Sequence, residues 1–329
     1  MLNYPNFEEV KCDHCHQSDY ETLSIIENDF EMFGRVAEQY AMRNFRMVRC
    51  KRCTLVYLNP RPSAQEIYHY YPDTYPCFEE FPPKNRLMAL LHSMMVIQKR
   101  KLLFPHLPAN GVLLDYGCGN GHWLIGLKKY ASRHQRLIGI DPCKKPITDL
   151  KSKGIEAYVG DESILPTLFK PETIDVIIIS HLIEHVPNPL KLFQELESYL
   201  TPNGIIYGVT PNEAAWDRGI FGKLWSGWHA PRHFILFNRN TLGSYAQASN
   251  LELQHWKSEM EAASHWAVSF HTWLLELGLK PKGENRRLKC YPLFLLFFMG
   301  ITLIQKWVSQ TSIVSFILTK RAMPTPAQT

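Results

Sequence analysis

Short apolar runs and helix-spaced runs take turns along this chain, and their order predicts the architecture. Val112-Leu-Leu, Leu137-Ile-Gly-Ile, Ile155-Glu-Ala-Tyr-Val and Ile174-Asp-Val-Ile-Ile-Ile are compact and apolar, and each is bounded by Gly, Asp or Ser. That pattern reads as buried strands. Ile205 to Pro211 reads as a fifth strand and Leu251 to Trp256 as a sixth. Ser312 to Thr319 supplies a seventh. Between them lie helical stretches with their own punctuation. His122 to Tyr130 is one, and Pro146 to Lys153, closed by Gly154, is another. A third opens at Asn188 with Pro189 in its first position and stops at Thr201-Pro-Asn-Gly204. A fourth opens at Phe237-Asn-Arg-Asn-Thr241 and runs through Gln247. Regular strand–helix alternation over about 100 residues predicts an α/β fold with a doubly wound parallel sheet.

The first strand leads into chemistry. It ends at Asp115, and the turn Gly117-Cys118-Gly119-Asn120-Gly121 follows. Glycines let a backbone bend sharply and approach a ligand closely. The spacing is GxGxG, not the GxGxxG that seats a pyrophosphate. Asp115 can organise a positively charged ligand through backbone or water contacts. Asp141 ends the second strand and can accept hydrogen bonds from two ribose hydroxyls. Acids at the carboxyl ends of strands one and two stand where such sheets bind ligands.

Upstream, Cys12-Asp-His-Cys15 and Cys50-Lys-Arg-Cys53 are separated by 34 residues. Two such knuckles can present four thiolates tetrahedrally to a structural Zn²⁺, with a small hairpin filling the gap. His14 and His16 are substitute ligands, and four free thiols are the alternative. Leu55 to Asn59 reads as a strand with a proline stop. Ser63-Ala-Gln-Glu66 reads as a capping box opening a short helix through Tyr71. Asn85 to Phe104 spaces Leu87, Leu91, Met94, Met95 and Leu102 as an amphipathic helix.

Composition narrows the class. At 45% hydrophobic and 20% charged the chain can bury a large core. The net charge of +5 is spread out, which speaks against nucleic acid as a partner. Eight cysteines without an export signal suit reduced thiols and a cytoplasmic location.

The stretch Val112 to Gly121 resembles motif I (hhhDxGCGxG) of class I methyltransferases that use S-adenosylmethionine (SAM). Cys12 to Tyr75 resembles the zinc-ribbon preface on many bacterial members, where the second knuckle leads into an "LxNPRPS" stretch. Ser180-His-Leu-Ile-Glu-His-Val-Pro-Asn-Pro189 resembles the "hxxEHhxxP" segment of the methyltransferase-23 group, which includes ubiquinone-pathway O-methyltransferases. Trp216 to Phe234 resembles the "W…PRH" signature of methyltransferases from surface-glycan and lipid pathways. The fold implied is a Rossmann-like seven-stranded sheet in the order 3-2-1-4-5-7-6, the last strand antiparallel. An N-terminal zinc ribbon and a C-terminal helical insertion complete it. The implied division is 1–60 ribbon, 61–105 helical linker, 106–259 SAM-binding core, 260–310 insertion and 311–329 last strand and tail.

The cofactor implied is SAM, leaving as S-adenosylhomocysteine. Asp115, Gly117, Cys118, Gly119, Gly121 and Asp141 hold it, and Asp161 or Glu162 reaches the adenine amino group. In some of the resembled group an acid, an acid and a histidine bind a divalent metal. The matching positions here are His181, Glu184 and His185, and His181 departs from the acid. His181 then contacts cofactor or substrate, while Glu184 and His185 pair to shape the site.

Trp216 to Phe234 packs three Trp, two Arg and two His into 19 residues. Aromatics form walls, Arg forks onto anions and His moves protons. This segment is expected to line the acceptor pocket. His229 or His233 is then the general base, with His185 as a further proton carrier and Arg232 as an anion anchor. The expected reaction is O-methylation of a small molecule, a glycan or a lipid-linked intermediate. C-methylation of a nucleotide sugar is an alternative, as is a ribbon that reads RNA or protein. In the insertion, Trp266, Phe270, Trp273, Leu274 and Leu277 form an apolar stripe, followed by a basic run from Lys280 to Lys289. Tyr291 to Ile304 is nearly all apolar and too short to span a bilayer. Two readings stand: a lid resting on the inner face of a membrane through 264–304, or two helices packed over the cleft. Met323 to Thr329 should fray.

Overall fold

The computed structural model describes residues 7–26, 44–71, 86–279 and 290–321. The expected basic run 280–289, the terminal tail and the start of the helix at Asn85 lie outside the described residues.

The N-terminal module holds β1 (Phe7–Glu8), β2 (Tyr20–Ile26), β3 (Phe45–Cys50), β4 (Val56–Leu58) and β5 (Arg61–Pro62). β2 and β3 pair antiparallel, which is the hairpin expected between the knuckles. The expected helix after Ser63 is a single 3-10 turn, Ile67–Tyr70. Ser63 still caps it in part, its Oγ accepting from the Glu66 amide at 3.4 Å.

Then α1 (Arg86–Leu103) precedes the alternating core. Its buried side chains are Val96, Lys99 and Leu103, whereas Met94, Met95 and Leu102 stand exposed. The described positions of the stripe read from the sequence, Met94, Met95 and Leu102, therefore point outward, while Lys99 occupies an inward position. The core runs β6 (Val112–Tyr116), α2 (His122–Lys128), β7 (Arg136–Asp141), α3 (Lys144–Ser152), β8 (Glu156–Val159), α4 (Leu165–Leu168) and β9 (Ile174–Ser180). It continues through α5 (Pro189–Tyr199), β10 (Leu200–Pro211), α6 (Trp216–Phe221), β11 (Ile235–Leu236), α7 (Arg239–Ala248) and β12 (Leu251–Ser258). The hairpin α8 (Ala262–Glu276) and α9 (Tyr291–Trp307) precedes β13 (Ile313–Lys320).

The large sheet is ordered β12-β13-β10-β9-β6-β7-β8. Counting only its own strands in chain order, this is the expected 3-2-1-4-5-7-6. β13 runs antiparallel to both β10 and β12. Alternate residues feed two apolar clusters, Leu114, Ile177 and Ile206 on one face and Leu113, Val176 and Ile205 on the other. Both faces are covered, so the central strands need no polar side, and their sequences read as continuous apolar runs. Asn188 caps α5 as expected, its side chain accepting from the Lys191 amide. The turn Thr201-Pro-Asn-Gly204 is absorbed into β10, whose register against β9 slips between Leu200 and Ile205.

The N-terminal module is stitched to the core. β11 joins the smaller sheet in the order β11-β4-β3-β2, and the Tyr245 hydroxyl donates to Asp13 Oδ2 at 2.9 Å.

Candidate active site

At the carboxyl end of β6 the chain enters the glycine turn with φ of +76° at Gly117, +50° at Gly119 and +68° at Gly121. These are left-handed values that L side chains resist. A Cβ on Gly117 would also stand 2.7 Å from Leu182 Cδ1. Asp141, from the neighbouring β7, locks the turn. Its Oδ2 accepts from the Gly119 amide at 2.9 Å and its Oδ1 from the Cys143 amide at 2.8 Å. Each oxygen keeps a lone pair for a ligand hydroxyl.

Asp115 lies only 2% exposed, and its Oδ2 accepts no hydrogen bond. Burial first, and the nearby Asp141 carboxylate second, push it up to about 8. A buried orphan acceptor needs a partner. Beside a glycine-rich turn and a ribose-ready Asp141, a cationic nucleoside such as SAM fits that need. Cys118 is packed, with its Sγ directed at the Gly119 carbonyl (3.8 Å), and burial pushes its thiol up. Asp161 caps the turn at Glu162–Ile164, accepting from Ser163 Oγ at 2.6 Å and the Ser163 amide at 3.0 Å. Those bonds hold its carboxyl below the usual range. Glu162 accepts from the Tyr116 hydroxyl at 3.3 Å.

The exit of β9 is strained at His181, a non-glycine residue at φ +51°. Its Nε2 lies 3.1 Å from Glu261 Oε1 and its Nδ1 3.5 Å from the fully buried Glu184. Partial burial opposes charge on this ring, but Glu261 and Glu184 outweigh it and lift it to about 10. With 31% of the side chain open to water, that pairing is partly screened.

The histidines expected to do chemistry form a second, tighter cluster. His185 and His233 stand 4.7 Å apart between ring centroids, and His229 and His233 4.9 Å. His185 Nδ1 donates to the Arg232 carbonyl at 3.0 Å, and His233 Nδ1 to the Gly227 carbonyl at 2.9 Å. Burial pushes His185 down to about 4, and His229 and His233 well below their usual value, so all three rings are neutral. Arg232 corrects its assignment. It is fully buried, donating to His229 Nε2 at 2.8 Å and to the Tyr70 carbonyl at 3.4 Å. It is therefore a brace between the segment and the N-terminal module, not an open anion anchor. Arg232→Ala is expected to cost roughly 2–4 kcal/mol of stability, because buried acceptors lose their donor. Thermal unfolding checks this. An unchanged melting temperature together with lost turnover would restore the anchor role.

Two groups could hold metal. Cys12, Cys15, Cys50 and Cys53 bring their sulfurs within 4.8 Å of one another, with Cys12–Cys53 at 3.3 Å and Cys15–Cys50 at 3.4 Å. Tetrahedral zinc at about 2.3 Å per sulfur fits that spacing. His14 is elsewhere, packed on the Tyr245 ring at 5.0 Å. Glu184, His185 and His233 likewise converge within 4.8 Å. Both of those rings point Nδ1–H at a carbonyl, which leaves Nε2 as the donor atom for a divalent ion. The third member of this group is His233 rather than His181, which lies between Glu184 and Glu261.

Sequence reasoning missed a pair of histidines beside the turn, His122 and His92. His122 directly follows Gly121, and its ring lies 5.9 Å from His92. Burial, then His92, pushes His122 down to about 4, and it feels the charges of Glu261 and His181. Lys99 is buried on α1, bonded to the Tyr207 hydroxyl with its ammonium 4.9 Å above the Trp123 ring. Burial lowers Lys99 to about 8. The available signal was a histidine placed immediately after the glycine turn.

The family model described as "Methyltransferase domain" matches residues 90–255, half of the chain. A ubiquinone biosynthesis O-methyltransferase of Aliivibrio fischeri is 31% identical over 113 residues, covering 32% of this chain and 47% of that protein. A probable methyltransferase of Aspergillus luteorubrus is 32% identical over 118 residues, covering 32% and 41%. The chain thus spans about half the length of these curated relatives. Among solved structures, a geranyl diphosphate methyltransferase in complex with SAM aligns with a TM-score of 0.47 at 15% identity, covering 73% of this chain and 93% of that one. On the family match, the glycine turn and the strand order, this chain belongs to the methyltransferase-domain family.

Proposed function

We propose that this protein transfers the methyl group of SAM to a hydroxyl on a small molecule, a glycan or a lipid-linked acceptor. One observation carries the reading: the turn suited to the cofactor, beside the orphaned Asp115 oxygen, runs straight into His122 at the start of α2. When bound, SAM supplies a methyl already activated on sulfonium. The chain's own task is then to align an acceptor with it and exclude water, and alignment can supply most of the acceleration. His122 takes the acceptor proton. Its Nδ1 lies 3.3 Å from Asn120 Oδ1, which makes Nε2 the basic nitrogen. His181, held as a cation by Glu261, is close enough for its charge to act on His122. The four cysteines hold structural Zn²⁺.

His122→Ala is expected to lower kcat about 100-fold, while calorimetry finds the SAM Kd within about twofold of the parent. Equal losses in both would move His122 into the cofactor site. For the acceptor, cell extract, pure protein and methyl-labelled SAM are incubated and partitioned between solvents. Label in the organic phase identifies a lipid-linked acceptor, and aqueous label a soluble one. No label and no SAM binding would sink the reading.

A further inference from the structure

Helix α9 has an apolar outer face as well as a buried inner one. Its inner face, Tyr291, Phe298, Thr302 and Gln305, is buried. It packs on α8, where Trp266 stacks on Phe298 at 5.2 Å and donates from Nε1 to Gln305 Oε1 at 2.8 Å. A helix on the surface of a domain surrounded by water turns polar and charged residues to the other side. This one does not. Leu293, Leu296, Phe297, Leu303, Ile304 and Trp307 follow helical spacing, and each is more than half exposed, Trp307 at 91%. No acidic or basic residue occurs from Tyr291 to Gln305. On α8 and just beyond it, Trp273, Leu277 and Leu279 are exposed as well. Scattered surface apolar residues are ordinary, but an uninterrupted stripe of this length marks an interaction surface.

The charges flanking the stripe identify what covers it. The segment joining α8 to α9 carries Lys280, Lys282, Arg286, Arg287 and Lys289 against Glu284, and Lys306 lies near the far end. A basic segment next to the apolar stripe in sequence, with Lys306 and Trp307 at the stripe's far end, matches an anionic lipid interface: tails take the stripe, headgroups the indole and the cations. A second copy would carry the same basic sequence, and like charge disfavours it as the partner. Among the described residues no helix is long and apolar enough to cross a membrane. At 17 residues α9 is about 25 Å long, short of a bilayer core of about 30 Å.

We propose that the α8–α9 hairpin docks on an anionic lipid bilayer, with the outer face of α9 sunk among the headgroups. The proposal holds whichever acceptor the enzyme uses. The test floats the full chain with vesicles of phosphatidylcholine alone and with vesicles containing about one-quarter phosphatidylglycerol. The bound fraction is expected to rise about tenfold with the anionic lipid, to fall with added salt, and to come with a blue shift of tryptophan emission. Replacing Phe297 and Ile304 together by Glu should abolish flotation while SAM affinity and far-UV dichroism stay unchanged. Lys306→Gln should weaken binding about fivefold, the effect of one cation near such a surface. Absent flotation with anionic vesicles overturns the proposal, as does undiminished flotation of the double variant. So does a dimer in ultracentrifugation that the double variant dissociates, since the face would then belong to a second copy.

Discussion

Gly119→Arg abolishes SAM binding, by an expected factor beyond about a thousand, while the protein still folds. The two costs differ in kind. Gly119 sits at φ +50°, and a side chain in that left-handed region costs about 1–2 kcal/mol. A domain with apolar clusters on both faces of a seven-stranded sheet withstands that much. The ligand does not. The Gly119 amide is bound to Asp141 Oδ2, so the loop cannot swing away without releasing the acid expected to take the ribose. An arginine there places bulk and positive charge in the crevice between β6 and β7, against a cofactor that is itself cationic. Calorimetry with SAM should show no binding heat, and far-UV dichroism should match the parent. Retained binding would place the cofactor elsewhere. A milder companion, Asp141→Asn, keeps the shape and removes the charge, and should leave measurable but weaker affinity.

How much of this was legible in the sequence follows from how local each signal is. β7 and β9 run over Arg136–Asp141 and Ile174–Ser180, the segments read from their apolar runs, because both faces of those strands are buried. The Asn188-Pro189 start of α5 depends on a local side-chain bond, and it too was legible. Asp115, Gly117, Gly119, Gly121 and Asp141 fall together because strand order alone places the ends of β6 and β7 side by side. Partnerships across the chain were not legible. His181 reaches Glu261, which lies 80 positions away, and no spacing announces that. Arg232 looked like an anion anchor beside its aromatics, yet it faces Tyr70 across 162 positions and is buried there. On α1 the apolar positions misled because Lys99 takes an inward site, its stem packed and its ammonium over Trp123. His122 was overlooked for a different reason: three histidines crowded around Arg232 drew the reading away from one beside the glycine turn.

Removing metal from the four cysteines is expected to melt the N-terminal sheet and stop turnover while SAM binding survives. A structural zinc site contributes about 10–16 kcal/mol, as much as the whole stability of an ordinary domain. The sheet β11-β4-β3-β2 is small, and Cys12 and Cys50 are both fully buried within its apolar cluster. Four unliganded thiols cannot replace the metal's contribution. The loss should travel, because β4 pairs with β11 through Tyr57 and Ile235. The Tyr71 hydroxyl also sits 2.9 Å from His185 Nδ1, and the Tyr70 carbonyl takes Arg232. Once the module loosens, the segment 225–236 loses its outer support, and the cluster of His185, His229 and His233 opens to water. The turn at Gly117–Gly121 depends on none of these contacts, since it is tied to Asp141 and the Ile140 carbonyl. Cys50→Ser, or a strong chelator under reducing conditions, should therefore release one zinc per chain by atomic emission and lower the melting temperature by about 10 °C or more. The SAM Kd should stay within about threefold by calorimetry, since that site's bonds remain. A metal-free protein with an unchanged melting temperature and full turnover would show that the four cysteines are free thiols packed for shape alone.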